Sequence, residues 1–193
     1  MERMTFSLPI APEANALLDR SPLALLIGMT LDQQDKLEKA FSSPYVLSQR
    51  LGHEPTVEEI AGFDTEELIR IFATPPALHR FPKAMATRTQ EVCRLLVARY
   101  DGETARLWSA AADGRDLFKR VAELPGFGRQ KAQIFVALLG KRYGVQPAGW
   151  REAAGAYGDE GSHMSVADIV DEASLTKVRD YKKSMKAAAK SVG

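Results

Sequence analysis

The chain has 193 residues, of which 45% are hydrophobic and 26% charged, enough apolar material for one compact domain or two small lobes. Lys and Arg total 26 against 25 Asp and Glu, a net charge of +1, so composition gives no vote for nucleic acid and only the placement of charge can speak. A single cysteine, Cys93, excludes an internal disulfide, an all-cysteine zinc site and a cysteine-held cluster within the chain. No apolar run is long enough for a membrane span and no signal pattern opens the sequence, which leads to an expectation of a soluble, cytoplasmic protein.

Helical periodicity runs through almost the whole chain. APEANALLDR (11–20) reads as a short helix. In SPLALLIGMTLDQQDKLEKAF (21–41), Ser21 is an N-cap and Pro22 takes the first helical position. The middle of that stretch, GMTLDQQ, is poor helix and reads as a loop or kink. VEEIAGF (57–63) and DTEELIRIFA (64–73) follow, the second opened by Asp64 with Glu67 three residues on, a capping-box pattern. TPPALHRFP (74–82) is a proline-broken connection, and KAMATRTQEVCRLLVARYDG (83–102) is a long amphipathic helix stopped by Gly102. Cys93 falls among its apolar positions, as a core residue does.

GRDLFKRVAEL (114–124) and GRQKAQIFVALLGKRYG (128–144) are helices joined by the corner LPGFG. Residues 145–163, rich in Gly and Ala, read as an extended, loop-like segment. SVADIVDEASLTKVRDYKKSMKAAAK returns to helix, with Ser165 and Asp168 as a second capping-box candidate. No alternation is convincing enough for a strand, so the expected fold is all-α, with roughly ten short helices.

The corner LPGFGRQKA (124–132) carries the functional expectation. Gly126 and Gly128 permit positive φ and close backbone approach. A helix starting near Gly128 points its first amides outward at the positive end of its dipole, which suits a phosphate. Arg129 and Lys131 add charge, while Leu124 and Phe127 would pin the turn to the core and Ala132 would allow close helix packing. Such a device holds a nucleic-acid backbone without reading its sequence.

This stretch resembles the hairpin of helix-hairpin-helix DNA-binding proteins. It is most similar to the base-excision superfamily that includes endonuclease III, the adenine-specific mismatch glycosylase and the alkylbase glycosylases. LALLIGMTLDQQ (23–34) resembles that family's N-terminal segment, and KAMATRTQEVCRLLVARYDGE (83–103) its long helix before the hairpin. The resemblance implies a two-lobed helical protein forming one unit over 1–193. A central lobe (21–127), a second lobe from 1–20 plus 128–193, the hairpin at 117–140 and a cleft between the lobes would compose it. It implies a monofunctional DNA N-glycosylase acting on double-stranded DNA with a damaged or mismatched base, as a monomer, in the cytoplasm or on a nucleoid. The alternative is a non-catalytic DNA-binding or lesion-sensing protein that keeps the scaffold.

Residue by residue, the resemblance makes Gln34, with Gln33 beside it, the group that fills the gap left by a flipped nucleotide. The backbone of Gly126, Phe127 and Gly128, with Arg129 and Lys131, would bind phosphate. Bifunctional relatives carry a hairpin lysine that forms a Schiff base, but Gln130 stands at that position. Lys131 is one residue further and so rotated about 100° around the helix, which argues against lyase chemistry.

The family's aspartate after the second hairpin helix is missing, since Ala148 lies near its expected place. Glu152 is the nearest acid and the candidate catalytic residue, ahead of Asp159, Glu160 and Asp32. Trp150 and Tyr157 are candidates for base stacking. With no cysteine after Cys93, no iron–sulfur cluster, other metal or cofactor is expected. Lys177, Arg179, Lys182, Lys183, Lys186 and Lys190 make the C-terminal helix basic beside an apolar stripe of Leu175, Val178, Tyr181 and Met185, a face that would track phosphates. His53, His79 and His163 have no metal-ligand spacing and receive no role.

Overall fold

The computed structural model describes residues 6–192. Among them lie eleven α-helices, two short 3-10 turns and no strand, so the fold is all-α. By their internal packing the residues form two compact units. One holds the residues up to Pro9, Ala112–Ala122 and those from Gly128 onward; the other holds Ile10–Ala111 and Glu123–Phe127. This grouping differs from the lobes expected from sequence. Helix α1 (Pro12–Arg20) joins the larger unit because it packs on α2 (Pro22–Leu31) and α3 (Leu37–Leu51), and α8 (Gly114–Ala122) joins the other because it packs on α9 (Arg129–Tyr143) and α10 (Trp150–Ala153).

In the larger unit, α2 (Pro22–Leu31) begins as expected, with the Ser21 hydroxyl accepting the Ala24 amide at 3.1 Å and Pro22 in the first turn. It does not break at GMT. Every residue from Leu23 to Leu31 is buried, the pattern of a helix enclosed on all sides. Gly28 is present for packing: a Cβ there would lie 2.6 Å from the Phe41 ring, so the glycine lets α2 and α3 (Leu37–Leu51) approach closely. The Thr30 hydroxyl is absorbed by donating to the Leu26 carbonyl at 2.7 Å. Only residues 32–36 leave helix.

Helices α4 (Val57–Ala61) and α5 (Thr65–Ala73) lie on the long α6 (Pro82–Tyr100). Asp64 caps α5 by accepting the Glu67 amide at 2.9 Å. Gln90, buried on α6, donates to the carbonyls of Ile60 and Phe63 and accepts from Thr65, so one amide ties both short helices to the long one. Cys93 is fully buried in the same helix, as its pattern predicts. Its thiol is pushed up to about 12 by burial and then by the charge of Glu58. The unit is completed by α7 (Arg106–Ser109).

In the second unit, α8 and α9 (Arg129–Tyr143) pack together, and α9 runs through the core with Phe135 to Gly140 buried. Within the segment 145–163, expected to be extended and loop-like, α10 (Trp150–Ala153) and a 3-10 turn at Gly155–Gly158 form, while 145–149 and 159–163 stay outside helix. The reason is local. Trp150 is buried against Gly140, where a Cβ would lie 2.3 Å from its ring, and the Gly114 amide donates to the Ala148 carbonyl at 2.7 Å. Ser165 and Asp168 form the expected capping box on the turn Val166–Asp168. Lys141 donates to Asp168 at 2.6 Å, and Arg142 to the Ala167 carbonyl at 3.1 Å. The last helix, α11 (Glu172–Val192), buries Leu175 and Val178 but leaves Met185 52% exposed, so its apolar stripe is used only at its start.

Candidate nucleic-acid interface

The corner between α8 and α9 is a tight turn. Gly126 has φ +81°, a left-handed value that glycine adopts without strain, and the Phe127 amide donates back to Leu124 at 3.0 Å. Leu124 and Phe127 are buried, as residues that pin the turn should be, and Ala132 is buried in the first turn of α9. The two glycines then differ. A Cβ on Gly126 would lie 1.7 Å from the Arg88 Nη1, because the guanidinium of α6 lies against that backbone. Gly128 has an ordinary φ of −78°, is exposed, and has no heavy atom within 4 Å of where a Cβ would be.

Gly128 is the N-cap of α9 and supplies no side-chain acceptor to the helix's first amides. An N-cap of Ser, Thr, Asn or Asp would satisfy one of those amides internally. Arg129 and Gln130 are exposed beside it, and Lys131 is half-buried. The arrangement presents backbone donors and positive charge together at an uncovered helix start, a suitable seat for an anion.

Gln34 lies in the short link from α2 to α3. It is exposed, and its φ of +55° is left-handed, uncommon for a residue with a Cβ. Two bonds hold its neighbours. The Gln33 carbonyl meets His79 Nε2 at 2.9 Å, while His79 Nδ1 accepts the Phe81 amide at 2.9 Å. Since an amide can only donate, Nδ1 is the acceptor, and Nε2 therefore carries the proton given to Gln33. Asp35 accepts the amides of Lys36 at 2.8 Å and Arg80 at 2.7 Å. Burial alone would raise the Asp35 carboxyl. The two amide bonds, with Lys39 nearby, outweigh it and hold the group below its ordinary range. His79, given no role from sequence, is fully buried.

In the other unit, Arg115, Arg129, Gln133, Ala148, Gly149 and Glu152 line a groove of about 480 Å³. Neither Ala148 nor Gly149 supplies an acid. Glu152 is exposed, and its Oε2 lies 3.9 Å from where a Cβ on Gly149 would be. Its carboxylate thus sits at the start of α10. The side-chain amide of Gln130 donates to the Tyr157 hydroxyl at 2.8 Å. Tyr157 is half-buried. Trp150 is 8% exposed, packed on Gly140 and covered by the Arg151 guanidinium 4.4 Å from its ring centre. Its ring is committed to the core, which corrects the stacking role considered for it. Asp159 and Glu160 are exposed in the following loop, and Asp32 is half-buried as the C-cap of α2.

The corner and Gln34 stand out in the sequence, whereas Arg88, His79 and Asp35 do not. These three act on backbone far away in the chain, and no periodicity or motif announces such a contact. Among the described residues no group of His, Cys, Asp and Glu has the geometry to hold a metal ion, and no helix is long and apolar enough to cross a membrane. The chain matches no family model, no curated protein and no solved structure.

Proposed function

We propose that this chain is a DNA-binding base-excision repair protein, a monofunctional DNA N-glycosylase that removes a damaged or mismatched base from duplex DNA. The observation that carries the reading is the uncovered start of α9, where Gly128 offers no cap of its own beside the exposed Arg129. A helix corner built only for packing gains from a capping side chain there; a phosphate seat gains from its absence.

In this reading Gln34 enters the duplex where the base leaves, and the left-handed backbone presents it. Glu152 supplies the carboxylate that stabilises positive charge on the sugar or orients the attacking water. Water adds to the sugar carbon as its bond to the base nitrogen breaks, and the base leaves with a proton. Gln130 and the rotated Lys131 supply no amine nucleophile, so the sugar–phosphate chain stays intact.

A second reading is favoured by a specific observation: Ala148 and Gly149 leave the expected position without an acid. In that reading the protein holds or senses lesions without cleaving them. A base-release assay separates the two. Duplexes carrying uracil, alkylated bases, oxidised guanine or mismatches are incubated with the protein and analysed with and without alkali. Strand breaks only after alkali, abolished by Glu152→Gln with affinity kept, support the glycosylase. Intact DNA throughout, with salt-sensitive binding, supports the holding protein. Neither release nor binding overturns both.

A further inference from the structure

The link carrying Gln34 is fastened at both sides to a second loop, and by backbone groups rather than by chance surface contacts. His79 is fully buried on the connection between α5 and α6. It uses both ring nitrogens, donating to the Gln33 carbonyl at 2.9 Å and accepting the Phe81 amide at 2.9 Å. Asp35 does the reverse, reaching from the first loop to take the Arg80 amide at 2.7 Å while bonding its own neighbour Lys36. Lys39 lies 3.5 Å from the same carboxylate and His79 Nε2 lies 4.0 Å from it. The residue between Gln33 and Asp35 is Gln34, exposed and left-handed at φ +55°.

We infer that His79 and Asp35 are positioning residues that hold Gln34 in its left-handed conformation and set it ready to enter an opened duplex. The inference rests on the DNA reading for its purpose, but the clamp itself is a property of the free protein. A side-chain-bearing residue leaves the left-handed region unless its surroundings fix it. Here the surroundings are the two clamps, one on each side of the residue. The same bonds fix Arg80 and Phe81, so both exposed tips move as one body. A preordered tip avoids ordering Gln34 at the moment of insertion, which favours the opened state over the closed duplex.

The chemistry also predicts which substitutions fail. An asparagine at 35 keeps the shape but offers one oxygen, so it accepts only one of the two amide bonds. A glutamine at 79 can still donate to Gln33, whereas alanine can do nothing. The test uses the full chain with His79→Ala, His79→Gln, Asp35→Asn and Gln34→Ala, in two measurements. Amide–α coupling constants and carbon shifts of the free protein report the Gln34 backbone. Fluorescence of 2-aminopurine beside an abasic analogue in a duplex reports base unstacking.

The expected result is left-handed Gln34 in the native protein and a shift toward extended backbone in His79→Ala and Asp35→Asn, with partial recovery in His79→Gln. Concentrations needed for half of the 2-aminopurine signal rise on the order of tenfold in the first two. Affinity for an undamaged duplex stays unchanged. In a Gln34→Ala background, His79→Ala has no further effect. Should His79→Ala fail to fold, Asp35→Asn and His79→Gln carry the comparison.

Two results overturn the inference: a Gln34 backbone that stays left-handed in Asp35→Asn, or losses from Gln34→Ala and His79→Ala that simply add. A native protein that binds no duplex overturns the DNA reading and the positioning role with it. The coupling constants then still decide whether the clamp exists.

Discussion

The guanidinium of Arg88 lies against the backbone of Gly126 so closely that a methyl group on that glycine would sit 1.7 Å from Nη1. The corner between α8 and α9 is therefore tight at Gly126 for two structural reasons, its positive φ and this contact, and open at Gly128 for neither.

The pair predicts a contrast. Gly126→Ala must accept a left-handed alanine, at about 1–2 kcal/mol, and must also displace Arg88. Urea unfolding should show a loss near that figure, because the Arg88 guanidinium is the far end of a flexible side chain and swings aside, and an added Arg88→Ala should change the loss little. Gly128→Ala meets no clash and no left-handed strain, so it should cost only what a poorer N-cap loses, less than about 1 kcal/mol. Equal losses at both positions would contradict the geometry.

Asp35 gives a pH signature. Its carboxyl is held below its ordinary value of 3.8 in the folded protein, where amide bonds from Arg80 and Lys36 outweigh the burial that would raise it. The sign follows from linkage: a depressed carboxyl contributes stability above its unfolded value and loses it as pH falls through its folded value. Native protein should exceed Asp35→Asn in stability at neutral pH, and the gap should narrow as pH drops below that ordinary value. Denaturant titrations of both proteins across that range measure it, and a gap independent of pH would count against the bonding pattern.

Cys93 should be inert while the protein is folded. Burial and the charge of Glu58 push its thiol up to about 12, so thiolate is scarce at neutral pH, and thiolate is the reactive form. Aromatic disulfide reagents should label it only after denaturation. Prompt labelling of native protein would mean that α6 opens readily.

The basic part of α11 supplies a separate forecast. Lys182, Lys183, Lys186 and Lys190 are exposed, and no acidic residue follows Asp180 in the helix. If they track phosphates, reversing two of them should flatten the salt dependence of duplex binding, since each phosphate contact adds about 0.9 to the slope. Unfolding should be unaffected, because this end of the helix buries nothing. An unaltered slope would leave α11 a solvated surface helix.

How far the sequence could be read depends on whether the deciding contact is local. Ser21, Asp64, Ser165 and Asp168 act within one turn of themselves, and each cap was legible. The helical character of nearly every segment was legible from periodicity. Gly28 was misread because its reason for being there is Phe41 on another helix, invisible to a local pattern that sees only a poor helix former. Residues 145–163 were misread for a similar reason. Their compactness comes from Trp150 meeting Gly140, not from their own propensity. At the candidate interface, the glycine corner and Gln34 stood out through residue type and resemblance. What holds them, Arg88 on Gly126 and His79 with Asp35 around Gln34, is tertiary and left no trace in spacing.

The claim that the start of α9 seats a phosphate is tested most directly by Gly128→Asp, with duplex affinity and unfolding free energy measured on the same protein. Aspartate is a better N-cap than glycine, by a few tenths of a kcal/mol, and finds open space at this position. It also places a negative charge where the phosphate would sit. If a phosphate sits there, the variant is at least as stable as the native protein and its duplex affinity falls at least tenfold, with a shallower salt dependence. Unchanged affinity in the stabilised variant would contradict the claim and make the corner a packing device alone.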